Sequence, residues 1–348
     1  MTETRSDEPT RLRRVSSAPR NLSMATWLAV AVLAVTITSL VVASILSLTA
    51  GEEIAEELAD GQMSARASVK AEEVSRYLEA MRRQTAALAS SEATAEIFAR
   101  FTSAYQELSG LESADVDESA DLVIDFYRDD FAPALQQTTG IPVGYRTLLP
   151  TTDPALYLQR HYIADTNDES GDLIDDADDG SAWSEVHREL HLGLYEITQR
   201  MGADDMYLIE PDNGIIVYSA SKKPDFATSL DFGPHGGSTL AAIMRTVRES
   251  PEKGVATLID MAPYSPDLGS PVMFVASPVY DGEQLTGILV FKISTDPIDA
   301  IVTSEGNWVE EGFGETGEVY LAGEDGRMRS VARPFVENPA AFLIDLET

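Results

Sequence analysis

The chain has 348 residues, with 58 acids against 25 bases and a formal charge of −33. That balance argues against nucleic acid as a partner, because a phosphate backbone needs a basic footprint, and against a peripheral grip on anionic lipid. There is no cysteine, so disulfide scaffolds, thiolate metal sites and cysteine nucleophiles are excluded, while a 44% hydrophobic share is enough for a sizeable core.

From Asn21 to Gly51 no residue is charged, and Met24 to Leu48 reads MATWLAVAVLAVTITSLVVASILSL. As a helix these residues span about 38 Å, enough to cross a bilayer with some tilt. A cleaved signal peptide fits less well: the polar lead is long, and Leu48 would stand at the −3 position of a cut after Ala50. The leader carries Arg5, Arg11, Arg13, Arg14 and Arg20 against Glu3, Asp7 and Glu8, a net of +2, whereas GEEIAEELAD follows the span. The positive-inside rule then predicts a cytoplasmic tail over 1–23, a transmembrane helix over 24–50, and everything after it outside an inner (cell) membrane in a single pass. The outer part carries the acidic excess, which fits either a saline habitat or a surface kept soluble by acids.

Residues 51–108 read as a long stalk helix, with a break expected near Gly61. Ala67, Ala71, Val74, Leu78, Met81, Thr85 and Leu88 recur at alternating steps of 4 and 3. Such a seam serves a homodimer through the stalk or packing against the chain's own domain. In 109–200, a helical and acidic-loop region, Ser119 to Gln137 and the LYLQRHYIA piece look helical, and TNDESGDLIDDADDG is an acidic loop. Ser181 is the expected N-cap of a helix to about Arg200, with Val186, Leu190, Leu194 and Ile197 as its apolar stripe.

From Asp205 the texture turns strand-like. MYLIEPDNGIIVYSA gives two strands around Pro211-Asp212-Asn213-Gly214, STLAAIMRTVRES a helix, and GVATLID, SPVMFVASPVY and QLTGILVFKIS three further strands. Hairpin connections predict an α+β domain over 201–303, a five-stranded antiparallel sheet with helices on one side. Val319-Tyr320-Leu321 followed by Glu324-Asp325-Gly326 echoes Met206 to Gly214 at a step of 113 residues, Tyr207 to Tyr320. A second, incomplete copy of the domain is therefore expected over 304–348.

Three motifs are weaker than they look. Gly312-Phe313-Gly314-Glu315-Thr316-Gly317 satisfies GxGxxG, but a strand rather than a helix is expected after it, so it reads as a glycine-rich strand entry. His187 and His191 stand one helical turn apart, but Glu189 is misplaced for a zincin, and a surface helix with ordinary histidines is expected. Asp175 to Gly180 matches part of a calcium loop, but Ala177 and Val186 occupy ligand positions. No motif calls for catalysis, a metal or a cofactor, so the chain is read as having no enzyme activity of its own.

Five phrases between Leu156 and Arg333 resemble the extracytoplasmic double Cache sensor region of bacterial transmembrane receptors. They are LYLQRHYIA, MYLIEPDNGIIVYS, KKPDFATSL, DMAPYSPDLGSPVMFVASPVYDGEQLTGILVFKI and GFGETGEVYLAGEDGRMRS, and the stretch they lie in is about half the chain. The resemblance implies a PAS-like sheet, a membrane-distal Cache module over 201–303 that binds a small molecule, and the start of a membrane-proximal module over 304–348. It is nearest to chemoreceptor and adenylate/guanylate cyclase-linked members. Relatives that bind amino acids carry an Arg-x-Trp-Tyr phrase and an aspartate near the end of the last strand. Here KKPDFATSL and Lys292 stand in those places.

Along β-strand Leu285 to Ile293, alternation puts Thr286, Ile288, Val290 and Lys292 on one face. Lys292 is then either snorkelling from a solvent face or meeting an anionic ligand such as a carboxylate. In the second reading Asp225, Asp260, Tyr264 and Phe274 complete the wall, with Asp225 or Asp260 holding Lys222 or Lys292. The expected function is small-molecule sensing input of a transmembrane receptor. The alternatives are the N-terminal sensory part of a membrane nucleotide cyclase and a membrane-anchored interaction protein without ligand.

Overall fold

The computed structural model describes residues 23–111, 113–165 and 176–346. The basic leader and most of the acidic loop lie outside them. Contacts divide the chain into two units, Met1–Ala65 and Arg66–Thr348.

Helix α1, Met24–Ala89, starts in the first unit. Its apolar stretch is exposed all round, from Trp27 through Leu33 and Leu40 to Leu48, and by length and composition it can cross a membrane. There is no break at Gly61. The helix ends instead at Ser90-Ser91, where Ser91 caps helix α2, Glu92–Glu107, by accepting from the Thr94 N–H at 3.1 Å.

In the second unit Val74, Met81 and Thr85 are buried within the chain, with Leu78 and Leu88 packed beside the core. This half of the seam is spent on intramolecular packing, one of its two expected uses. Helix α3, Ser113–Asp125, runs through a π-turn, Phe126–Phe131, into α4, Ala132–Thr139. Pro133 sits in the first turn of α4, where no intrahelical N–H is needed. Helix α5, Asp153–Gln159, ends in a second π-turn, Arg160–Ala164, and α6, Ala182–Met201, is capped by Ser181 as expected.

The five expected strands are present: β1 Asp205–Ile209, β2 Ile216–Ser219, β3 Thr257–Tyr264, β4 Ser270–Asp281 and β5 Gln284–Ile293. They form one antiparallel sheet in the order β2-β1-β5-β4-β3. Helices cover both faces, not one. Helix α7, Thr239–Glu249, buries Leu240, Ile243, Met244 and Val247 against Tyr207, Ile288, Val290 and Phe274. The opposite face, with Met206, Leu208, Val275, Leu289 and Phe291, joins a core shared with α2 and α6. Gly287 has no side chain because Phe98 of α2 fills the space: a Cβ there would lie 2.2 Å from the ring.

After helix α8, Asp296–Thr303, the described residues of the expected second module form no strand pair beyond a single bridge, Ala322 to Met328. Short helices α9, Arg333–Glu337, and α10, Pro339–Leu346, follow. The GxGxxG segment is a loop held by arginines. Arg66 of α1 donates to the Glu311 carbonyl and lies over Phe313, and Arg333 donates to the carbonyls of Gly314 and Gly317 at 3.0 and 2.9 Å. Gly312 has φ +77° and a Cβ there would meet Arg66, so two constraints select glycine.

Candidate functional site

Strand alternation sets a charged row into the α7 face of the sheet. In the register, Asp205 of β1 stands opposite Lys292 of β5, and Lys292 stands opposite Phe274 of β4. Lys292 is 2% exposed, so it does not snorkel to solvent. Its Nζ pairs with Asp267 Oδ2 at 2.6 Å.

Asp267 is placed by a tight connection. The 3-10 turn Ser265–Asp267 leads into Leu268 at φ 54° and Gly269 at φ 84°, which turn β3 back into β4. Asp205 is held more firmly. Its carboxylate accepts from the backbone N–H groups of Met206, Ala220 and Ser221 at 2.8, 2.8 and 3.0 Å, and from the hydroxyls of Ser219 and Ser221.

The third acid comes from a strap that crosses this face after β2. Gln159 Nε2 donates to the carbonyls of Pro224 and Phe226 at 2.9 and 2.7 Å. Tyr127 Oη lies 3.0 Å and His235 Nε2 3.2 Å from the Pro224 carbonyl. These contacts fix Asp225 in the core, where Tyr264 Oη donates to its Oδ2. Asp225 Oδ1 and Tyr207 Oη are buried without a hydrogen-bond partner. Lys222 and Ala227 flank the acid with φ of 43° and 64°, a left-handed backbone that costs non-glycine residues about 1 kcal/mol each.

The electrostatics follow from burial. Desolvation pushes Asp225 up to about 6, the Asp205 charge adds to this, and Lys292 acts the other way. Burial opposes the Lys292 charge, yet Asp205, Asp267 and Asp225 together hold its ammonium above the usual lysine range. Burial raises Tyr207 and Tyr264 well above ordinary phenols and lowers His235 to about 4.

Beside this network lies a cleft of about 520 Å³. Lys292 and Asp267 form its inner wall, with Asp204, Ser221, Lys223, Ser270 and Ser294 among the polar groups around it and Leu268 and Val272 among the apolar ones. Asp204 accepts from the Ser294 N–H, and burial raises its carboxyl. Lys223 is half-buried and has no ion pair among the described residues. Ammonium, carboxylate and hydroxyl groups thus converge on one small space, with apolar side chains to exclude water.

Of the residues singled out from sequence, Lys292, Asp225, Tyr264 and Phe274 come together; the Tyr264 and Phe274 rings meet edge-on at 5.2 Å. Asp260 does not join them. It sits on β3 outside the cleft, where a bidentate ion pair with Arg329 holds its carboxyl below the usual range. Lys222 points into the opposite core, its Nζ 3.1 Å from His191 Nδ1 and 3.3 Å from the Ala220 carbonyl. His187 and His191 are themselves buried and stacked at 4.2 Å, correcting the expected surface positions. The buried stripe of α6 is Trp183, His187, His191, Leu194 and Thr198, rotated from the expected one because Trp183 anchors it by donating to the Val217 carbonyl at 2.9 Å.

Sequence reasoning missed Asp205, Asp267 and Lys223. Asp205 was within reach: it lies two residues before Tyr207, hence on the same face. The other two occupy connections, which carry no periodicity.

No family model matches the sequence, and no curated protein matches it. Among solved structures, the sensory domain of the Campylobacter jejuni chemoreceptor Tlp3 is similar at 13% identity, covering 69% of this chain and 78% of that one, with a TM-score of 0.30. The sensor domain of the Vibrio cholerae histidine kinase DctB is similar at 15% identity over 57% and 60%, with a TM-score of 0.26. The ligand-binding domain of the Pseudomonas aeruginosa amino acid chemoreceptor PctC, in complex with GABA, is similar at 14% identity over 64% and 80%, with a TM-score of 0.27.

Proposed function

We propose that the second unit is the small-molecule sensing input of a membrane-anchored receptor, and that its cleft takes a small ligand bearing a carboxylate. The observation that carries this reading is Lys223, an ammonium without an ion pair at a cleft whose other lysine is already neutralised. A carboxylate seated on Lys223 gains a charge-assisted hydrogen bond in a partly dry site. Ser221, Ser270 and Ser294 offer hydroxyls beside it, and Asp204 offers an acceptor to a ligand that also carries an amine or hydroxyl. The role expected of Lys292 as the ligand's counter-ion thus passes to Lys223. The sheet, strap and cleft fit the sensor region that the sequence phrases resemble.

In this reading the apolar part of α1 is a single-pass anchor, with the leader inside and the sensor outside. Protease added to spheroplasts, whose inner membrane is intact, is expected to digest residues beyond Gly51, and protection of that region overturns the topology. A receptor of this kind passes its signal to an output module, of which a nucleotide cyclase is one. An interaction protein without ligand is the competing reading.

Thermal melts of the full chain in detergent separate the two. Small carboxylates and carboxylate-bearing amino acids are expected to raise Tm, by linkage to the folded state, and Lys223→Ala is expected to abolish the rise without lowering the unliganded Tm. If no carboxylate in a broad panel shifts Tm, or if amines lacking a carboxylate shift it alone, the sensing assignment for this cleft is wrong.

A further inference from the structure

The inner wall of the cleft is unusual for its charge count. One ammonium, that of Lys292, stands among three carboxylates: Asp267 in direct contact at 2.6 Å, Asp205 on the neighbouring strand, and Asp225 on the strap. Asp205 is saturated by its own donors. Asp225 still has one oxygen, Oδ1, buried with no partner. Phe274, Val290 and Ile288 surround the row with apolar surface. Buried carboxylates in such a setting need a cation or a proton.

We infer that this inner wall is an ammonium-binding subsite which the protein fills with its own Lys292. The class of ligand it accepts is a primary alkylammonium, and the covalent tether keeps it occupied. A free ligand therefore meets a closed subsite there, and its recognition falls on the outer part of the cleft around Lys223. The inference rests on the geometry of the wall and stands whether or not the outer cleft senses a carboxylate.

Beyond Cβ, a lysine side chain is three methylenes and an ammonium, the same atoms as n-propylammonium. Cutting Lys292 back to alanine leaves a channel of that shape, open to the cleft through the position Lys292 now lines. Lys292→Ala in the full chain is expected to lower Tm by on the order of 10 °C, because three acids lose their counter-ion. Added n-propylammonium chloride at tens of millimolar is expected to restore at least half of that loss. Sodium chloride and tetramethylammonium chloride at equal ionic strength are expected to restore little, since one only screens and the other has no N–H to donate. 1-Propanol fills the channel without charge and is expected to fail as well.

Lys292→Met guards against a variant that does not fold. It keeps the apolar bulk, leaves no channel, and is expected to be insensitive to n-propylammonium. Should neither variant fold in buffer, refolding yield with and without n-propylammonium gives the same readout. Equal rescue by all the salts would reduce the wall to a screened acidic cluster. Absence of rescue in a folded Lys292→Ala variant, or rescue of Lys292→Met to the same extent, would overturn the subsite. Loss of carboxylate binding through Lys223→Ala alone bears on the sensing role and leaves this inference untouched.

Discussion

On the face of the sheet covered by α2 and α6, the strands present Met206, Leu208, Val275, Leu289 and Phe291 to an apolar core. On the α7 face, the alternate residues of the same strands include Asp205 and Lys292, with Phe274 and Tyr207 between and beside them. The first face is held by shape, as Gly287 against Phe98 shows. The second is held by charge: Ser219 at the end of β2 and Ser221 just after it donate to Asp205, while Lys292, opposite Asp205 in the register, pairs with Asp267. One period-2 alternation therefore yields a packing surface and a polar wall from a single sheet. The polar wall is the one that opens on the cleft.

The largest test of this contrast is Asp205→Ala. Its carboxylate satisfies five donors in the core, and its loss leaves them, and part of the Lys292 charge, without a partner. Denaturant melts are expected to show a loss of about 3–5 kcal/mol. A loss below about 1 kcal/mol would mean that the polar wall contributes no more than a surface contact.

The next effect is pH-dependent, and two groups pull in opposite directions. Asp225 binds its proton more tightly when folded, at about 6 against 3.8 as a model carboxyl. Its contribution is therefore present below about pH 4 and is lost as pH rises through 6, about 3 kcal/mol in all. His235 is held at about 4 against 6.5. Its contribution is present above 6.5 and is lost as pH falls through 4, by a similar amount. Relative to the parent chain, Asp225→Asn is expected to make stability rise with pH between 4 and 6, and His235→Gln to make it fall. Urea midpoints measured across that window check both signs, and parallel profiles for the two variants would contradict the assignment.

Gly287→Ala probes the apolar face. A methyl group there meets the Phe98 ring, and the expected loss is about 1–3 kcal/mol with no change in pH profile. The smallest effect concerns the cover of the polar face. Ser238 caps α7 by accepting from the Ala241 N–H at 3.2 Å, and Ser238→Ala is expected to cost about 1 kcal/mol. Differential scanning calorimetry resolves the two, since they are expected to add: the sites lie on opposite faces of the sheet.

Much of the fold was legible because it rests on local rules. The hairpin turns at Asn213-Gly214 and Asp281-Gly282, the Ser181 cap and the alternation along β5 each act over a few residues. The site was legible only in part. Strand parity assigned Lys292 its face, and Tyr264 and Phe274 were legible only as candidates for the wall beside it. Asp260 falls outside this wall: it lies in the bulge of β3 between Ile259 and Ala262, and Arg329 takes its carboxylate. Val319 to Leu321 has strand-like composition, but a strand needs a neighbour to share its backbone hydrogen bonds, and among the described residues this segment has the one bridge Ala322 to Met328.

The sequence by itself determined the apolar segment, the acidic surface, the five strands with their order along the chain, and the residue types available to a site. These depend on composition and on periods of 2 and 3.6 residues. Only the tertiary structure decided which acid answers Lys292. Asp267 reaches it from a turn and Asp205 from the next strand, while Asp225 is carried in by a strap clamped from Gln159 and Tyr127. Those partners lie 25 to 87 residues from Lys292 along the chain. A buried charge selects its counter-ions by proximity in space and by the cost of leaving any of them unpaired, and neither quantity is written in local sequence.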